Sequence, residues 1–333
     1  MSGDDAGFVG ERLSAWLTNE LPPDADVRVD GLRRASEGMS RENWLFEASW
    51  SLDGERVTEA LIMRRDPVGS VLETDRSVEF AVLRALEATA VPAPRVRWLD
   101  ADGRWLARPS IVMVLEDGIC DYFVLNGDQP LAARVALAER FCDVLVSIHQ
   151  VDWRGLGLDS VLPDPGAAAS LVAVDHWEAV LRKHQLEPLP ELDLVAGWLR
   201  AHAPSSPGTV LVHGDFKPGN ALLRGDGVGV VLDWETAHLG DPLEDLGWVT
   251  NPLRRREHQI PGAWTAAELL FRYRESTGVV MAEEALQWWR VLANFKLAVI
   301  GLTGVAAFVD GRYDRAHQVP GALFGVMFDL IGI

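Results

Sequence analysis

Lysine is almost absent. Three residues, Lys183, Lys217 and Lys296, stand in a chain of 333, and none precedes residue 183. Any permanently charged cation in the first half of the chain is therefore an arginine. Cysteine is scarce too. Cys120 and Cys142 alone exclude a disulfide framework and read as two reduced, buried side chains. Positive charge is in deficit. The formal net charge of -18 argues against a nucleic-acid partner or an anionic membrane surface. The first residues lack the basic start and apolar run of a signal peptide. The most apolar late segment, residues 297–309, is 13 residues long, too short to span a bilayer. These absences lead to the expectation of a cytoplasmic protein whose late apolar segment is a buried helix.

What is present suits two domains or one two-lobed unit. Hydrophobic residues make up 48% and charged residues 24%, ordinary globular values. Helical spacing marks 11–20 and 75–89. Strand-like runs lie near 43–51, 57–64, 95–99 and 110–115, with turn signals at Asp53-Gly54 and Asp102-Gly103. Beyond residue 118 the pattern turns helical, at 131–150, at 171–202 with breaks at Pro188 and Pro190, and from 264 onward. Two short apolar runs, 209–212 and 228–233, interrupt it. This predicts an α+β chain, with a sheet-rich lobe over 1–116 and a larger, mainly helical lobe over 117–333.

The chemistry concentrates in Val210-Leu-Val-His-Gly-Asp-Phe-Lys-Pro-Gly-Asn220 and in Val230-Val-Leu-Asp-Trp-Glu235. Asp215 and Asn220 stand five residues apart after an apolar strand, and Asp233 closes the next one. Each residue type here also favours turns, so a lone His-Gly-Asp would say little. The joint pattern fits phosphoryl transfer. That reaction needs a carboxylate to orient or deprotonate a hydroxyl, and hard oxygen ligands for Mg²⁺.

This signature, continued through Asp233-Trp-Glu-Thr-Ala-His-Leu-Gly-Asp-Pro-Leu-Glu-Asp-Leu246, resembles that of the aminoglycoside phosphotransferase family. It is most similar to the large branch that includes phosphotransferases found alone or fused to acyl-CoA dehydrogenases. The likeness runs from about residue 30 to 310 and implies a protein-kinase-like, two-lobed fold using ATP and Mg²⁺. It implies Asp215 as catalytic base and Asn220 and Asp233 as metal ligands. Glu235 and Asp241 would line or support the site, Asp245 would be a helix cap or a partner of the catalytic loop, and His213 would brace that loop or simply be a satisfied core histidine. Lys217 would touch the γ-phosphate, or else be an exposed turn lysine.

In the small lobe, residues 34–43 stand where the family places its phosphate-covering loop, with Ser40 as a phosphate contact but only Gly38 where two glycines are common. Their plain reading is a hairpin turn. The strand lysine of kinases is missing, and Arg64 matches its position, with Glu79 as its helix partner in preference to Glu73 or Asp75. Arg65 should point to the opposite face, towards solvent. Met113, Val114, Leu115 and Glu116 resemble the hinge strand, whose backbone from Val114 to Glu116 would hold adenine.

Two functions compete. One is an active kinase acting on a small-molecule hydroxyl, as a monomer or homodimer. The other is a nucleotide-binding scaffold without turnover, which the missing lysine and sparse glycines favour. The retained Asp215, Asn220 and Asp233 weigh against the scaffold. The acceptor stays open between an aminoglycoside-like molecule and a hydroxylated metabolite or acyl-CoA. Trp177, Trp198, Trp264, Trp288 and Trp289 could stack on it, but core burial is the commoner fate of tryptophan.

Overall fold

The computed structural model describes residues 6–35, 42–66, 75–312 and 319–333. The chain divides into two compact units, Met1–Glu87 with Pro94–Asp117, and Ala88–Ala93 with Gly118–Ile333.

In the first unit α1 (Ala6–Glu20) turns Val9, Leu13, Trp16 and Leu17 inward. Five strands form one antiparallel sheet: β1 (Arg28–Arg34), β2 (Glu42–Leu52), β3 (Glu55–Arg65), β4 (Val96–Asp100) and β5 (Ser110–Val114), in the order β1-β2-β3-β5-β4. β1 was not expected. Its sequence Arg-Val-Asp-Gly-Leu-Arg-Arg does not alternate, and its register slips between Asp30 and Arg33, so the period of two is broken. Asp53 and Gly54, both at positive φ, close the β2–β3 hairpin, as Asp-Gly at a two-residue turn leads one to expect. The core joins α1 to one face of the sheet through Trp44, Phe46, Ala48, Leu61, Met63 and Val112. Alternate residues of β2 and β3 supply it, which is the pleat at work.

α2 (Arg76–Leu86) is capped by Asp75, whose side chain accepts from Ser77 N. It ends at Leu86, short of the 89 expected, because the Glu87 side chain instead accepts from the Val96 amide.

The second unit opens with α3 (Leu131–His149), α4 (Ala169–His184) and α5 (Pro190–Ala201). The break between α4 and α5 falls where Pro188 and Pro190 were expected to impose it. Two short ladders follow. β6 (Val210–Val212) pairs with β9 (His238–Gly240), and β7 (Ala221–Arg224) pairs with β8 (Gly227–Val231). The remaining helices are α6 (Pro242–Val249), α7 (Arg255–His258), α8 (Ala266–Thr277), α9 (Glu283–Val309) and α10 (Ala322–Ile331).

α9 contains the late apolar segment and extends it well upstream. By length and composition it could cross a membrane, yet 67% of its most apolar window is buried inside the unit. Trp177, Trp264, Trp288 and Trp289 are core residues, while Trp198 stacks on His202 at the rim. Of the two cysteines, Cys142 is buried, and burial pushes its thiol up to about 12. Cys120 is exposed, contrary to expectation. It sits in the irregular stretch after Gly118, where no regular element covers it, and its Sγ donates to the Gly219 carbonyl at 2.9 Å.

Candidate active site

The loop expected to be catalytic begins where β6 ends. Gly214 has φ of +82°, and a Cβ there would lie 2.8 Å from Thr236 Oγ1 and 2.9 Å from the Thr236 carbonyl. Glycine is thus required twice, by the backbone and by the close approach. Gly214→Ala should destabilise the fold by about 2 kcal/mol and lower activity as the loop shifts. Urea unfolding and turnover measured side by side would check both effects.

The loop is held from behind. Asp245 is fully buried and accepts from His213 N at 2.8 Å, Gly214 N at 2.9 Å and the His149 ring at 3.1 Å. Burial works to raise its pKa, but the His149 hydrogen bond and charge and the His213 contacts outweigh it and hold the group at about 2. Asp245 is accordingly the partner of the catalytic loop. The helix cap is Asp241, which accepts from Leu243 N at 2.7 Å.

The buried His213 ring accepts from Asp215 N through Nδ1 at 3.2 Å, so Nε2 carries the proton donated to the Leu232 carbonyl at 2.9 Å. Burial lowers its pKa, which suits this neutral tautomer. The histidine braces the loop by being a satisfied core histidine; the two readings coincide.

Asp215 gathers the remaining polar groups. Its Oδ2 receives Lys217 Nζ at 2.5 Å and Asn220 Nδ2 at 2.8 Å. Its buried Oδ1 accepts no hydrogen bond among the described residues, and the Arg254 guanidinium stands 3.7 Å away. Lys217 is therefore no exposed turn lysine. Arg254, missed in the sequence, stacks on Trp248 at 4.0 Å and pairs with Glu257 at 3.4 Å, whose carboxyl burial pushes up. Lys296 was missed as well. Its Nζ donates to the Gly214 carbonyl at 2.5 Å and lies about equally far from the Trp177 and Trp248 rings, at 5.2 and 5.1 Å. Lysine scarcity was the available signal. Two of the three lysines serve this loop.

The donor chemistry fits Mg²⁺. Asn220 spends its amide nitrogen on Asp215, and its Oδ1 accepts no hydrogen bond from a described residue. Asp233 follows β8 in a left-handed conformation (φ 68°), and the Leu232 amide donates to the Asn220 carbonyl at 2.7 Å, which brings the two candidate ligands to one end of the β7–β8 hairpin. Among the described residues no cluster of three or more His, Cys, Asp or Glu side chains gathers to hold a metal. An amide oxygen and one carboxylate make a sparse, hard-oxygen set. Such a set suits an ion that keeps waters and binds through substrate phosphates. Glu235 follows in the turn Trp234–Thr236.

In the first unit Arg64 Nη1 lies 3.3 Å from Glu79 Oε1, the pairing expected from sequence. Arg76 takes the other oxygen of Glu79 and also binds Asp66 at 2.6 Å. Arg65 overturns its expectation. It is buried, pairs with Glu42 at 2.7 Å and lies over the Trp44 ring, because β2–β3 pairing puts Glu42 directly opposite.

Met113 is buried in β5 between Ile62 and Val96. The Val114 amide donates to Arg95 O and the Leu115 amide to Ala60 O, so neither is the adenine donor that the hinge resemblance implied. A central strand sends successive amides to alternate neighbours, and both are taken. Glu116 contacts Arg95 at 3.4 Å. Ser40, with the loop around Gly38, and Glu73 lie outside the described residues.

A family model described as "Phosphotransferase enzyme family" matches residues 31–278, and the chain belongs to this family. Acyl-CoA dehydrogenase family member 10 of Mus musculus is 31% identical over 195 residues, 56% of this chain and 18% of that protein. Family member 11 of Rattus norvegicus is 28% identical over 320 residues, 90% of this chain and 39% of that protein. The chain thus spans at most about two fifths of these relatives. Among solved structures, one from Ralstonia eutropha assigned as an aminoglycoside phosphotransferase has TM-score 0.72 at 22% identity, covering 96% of this chain and 95% of its own. A streptomycin-ATP-APH(2")-IIa ternary complex has TM-score 0.57 at 16% identity, covering 88% and 89%. At these identities the two structures show the shared kinase-like fold.

Proposed function

We propose that the chain transfers the γ-phosphoryl group of ATP, with Mg²⁺, to a hydroxyl of a small molecule, with Asp215 as the base. The observation that carries this is the division of labour at that carboxylate. Oδ2 is fixed by Lys217 and Asn220, while the buried Oδ1 accepts no hydrogen bond among the described residues and is the oxygen assigned here to a substrate hydroxyl. Residues 1–116 serve as the nucleotide-binding part and 117–333 as the catalytic and substrate-binding part.

Asp215 orients the acceptor hydroxyl and takes its proton as the oxygen attacks in line. Lys217, drawn in by Asp215, would meet charge on the transferred group. Asn220 and Asp233 would hold Mg²⁺, which supplies charge neutralisation on the phosphate oxygens when bound. Arg64, oriented by Glu79, supplies the cation for the α/β-phosphates that kinases take from lysine. The ATP complex of a structural neighbour and family membership support the nucleotide; the acceptor is an aminoglycoside-like molecule or a hydroxylated metabolite such as an acyl-CoA.

The test is magnesium-dependent ADP release across a panel of aminoglycosides, amino alcohols and hydroxyacyl-CoAs. Thermal stabilisation by ATP that ignores Mg²⁺, with no ADP release on any acceptor, would favour a scaffold. Arg64→Ala should raise the KM for ATP about tenfold or more, the equivalent of losing a charge-assisted contact, with Arg64→Lys between it and wild type. Steady-state kinetics with ATP varied would show it. An unchanged KM would remove Arg64 from the phosphate site.

A further inference from the structure

The second unit carries a cavity of about 720 Å³ walled by the segment after α6, by α7, by the start of α8 and by α9. That volume suits a small-molecule ligand. Its wall contains Arg255, Arg256 and Arg290 and no acidic residue. This is unusual in a chain with 49 acidic residues against 31 basic ones, most of whose arginines sit beside carboxylates.

Arg255 and Arg256 are exposed, and neither meets a carboxylate among the described residues. Arg256 is steadied over the Phe123 ring at 4.3 Å, a contact that holds the guanidinium without neutralising it. Arg290 is aimed by a hydrogen bond from Nε to Thr250 Oγ1 at 3.0 Å, and its Nη1 meets the exposed Glu283 at 2.9 Å. The first turn of the 12-residue helix α8 faces the same space and adds its positive end, part of which Glu268 already answers through the capping box.

The wall connects directly to the base. Arg254, the residue before Arg255, reaches to 3.7 Å from Asp215 Oδ1. One short segment therefore turns one arginine to the catalytic carboxylate and the next two to the cavity.

We propose that this cavity receives an anionic group, a phosphate or carboxylate, carried by the same acceptor whose hydroxyl meets Asp215. The inference rests on the phosphotransferase reading for the word acceptor, but the site itself can be tested without turnover. A polycationic acceptor would be repelled by Arg255 and Arg256, which meet no carboxylate among the described residues, whereas planar forks suit phosphate and carboxylate oxygens.

The experiment titrates pyrophosphate calorimetrically into the full chain, with a non-hydrolysable ATP analogue and Mg²⁺ saturating the nucleotide site. Wild type should bind, more weakly as salt rises, and Arg255→Ala/Arg256→Ala should weaken binding at least about tenfold. Both residues are exposed, so the double variant should fold, and its melting curve is recorded alongside. Equal binding by the two proteins, or no binding by wild type at millimolar pyrophosphate, would overturn the assignment. A second arm compares hydroxy compounds bearing phosphate, carboxylate or amines as acceptors. The expected result is a lower KM for one anionic class, which also distinguishes phosphate from carboxylate. A lower KM for the amine-bearing class would overturn the proposal. Wild type that releases no ADP on any acceptor would count against the phosphotransferase reading, while the pyrophosphate titration would still decide the cavity.

Discussion

Replacing Asp215 with alanine is expected to cut turnover by on the order of 10³-fold or more while leaving ATP affinity within a few-fold of wild type. The asymmetry follows from the contacts. Asp215 touches Lys217, Asn220 and, at longer range, Arg254, all in the catalytic loop or beside it. Removing the carboxylate deletes the group that would accept the hydroxyl proton and releases Lys217 from the carboxylate it meets at 2.5 Å. Because it also strips an acceptor from Asn220, a fold defect must be separated from a chemical one. Asp215→Asn keeps the shape and one oxygen, so it should melt close to wild type and still lack turnover. Steady-state ADP release and nucleotide binding, measured on both variants, would show the split. Wild-type turnover in either variant on a real acceptor would mean that Asp215 is not the base.

The candidate catalytic loop was legible in the sequence because phosphoryl transfer would require a fixed order of residue types along one short stretch. Strand, His-Gly-Asp, Asn five residues on and Asp at the end of the next strand are all local, and the structure gathers Asp215, Lys217 and Asn220 by hydrogen bonds. The Arg64–Glu79 pair was legible for a related reason. A carboxylate heading an apolar helix row needs a buried cation, and the preceding strand offered one.

What could not be read depends on contacts between distant elements. Arg65 looked solvated by strand alternation, yet cross-strand Glu42 gives it a buried partner. Arg254 lies in a basic run that reads as surface, and only the turn after α6 carries it back to Asp215. β1 has no period to detect, since its bulge destroys the alternation. The same holds for Cys120, whose exposure follows from the lack of covering structure after Gly118 and not from its own chemistry.

Asp245→Asn is expected to destabilise the second unit by about 3–5 kcal/mol at neutral pH, the range for breaking a buried charged network by changing one partner. The carboxylate is fully buried and accepts three hydrogen bonds, two of them from the backbone amides of His213 and Gly214. An asparagine offers one oxygen and turns an NH₂ towards donors, so at least one buried amide loses its acceptor. The pH dependence carries the sign of the shift. The folded pKa of about 2 lies below the ordinary 3.8, so the unfolded chain takes up a proton before the folded one does. The stabilisation from this group is therefore complete above about pH 4 and is lost as pH falls towards 2, amounting to about 2 kcal/mol. Asparagine does not titrate. The stability gap between wild type and variant should accordingly narrow by that amount between pH 4 and pH 2 and stay flat above pH 5. Urea unfolding followed by tryptophan fluorescence at stepped pH reads the gap directly. A gap that does not change across the acid range would show that Asp245 is not the ionised anchor of the loop. Because the two amides it holds immediately precede Asp215, turnover of the variant should fall even under conditions where it remains folded.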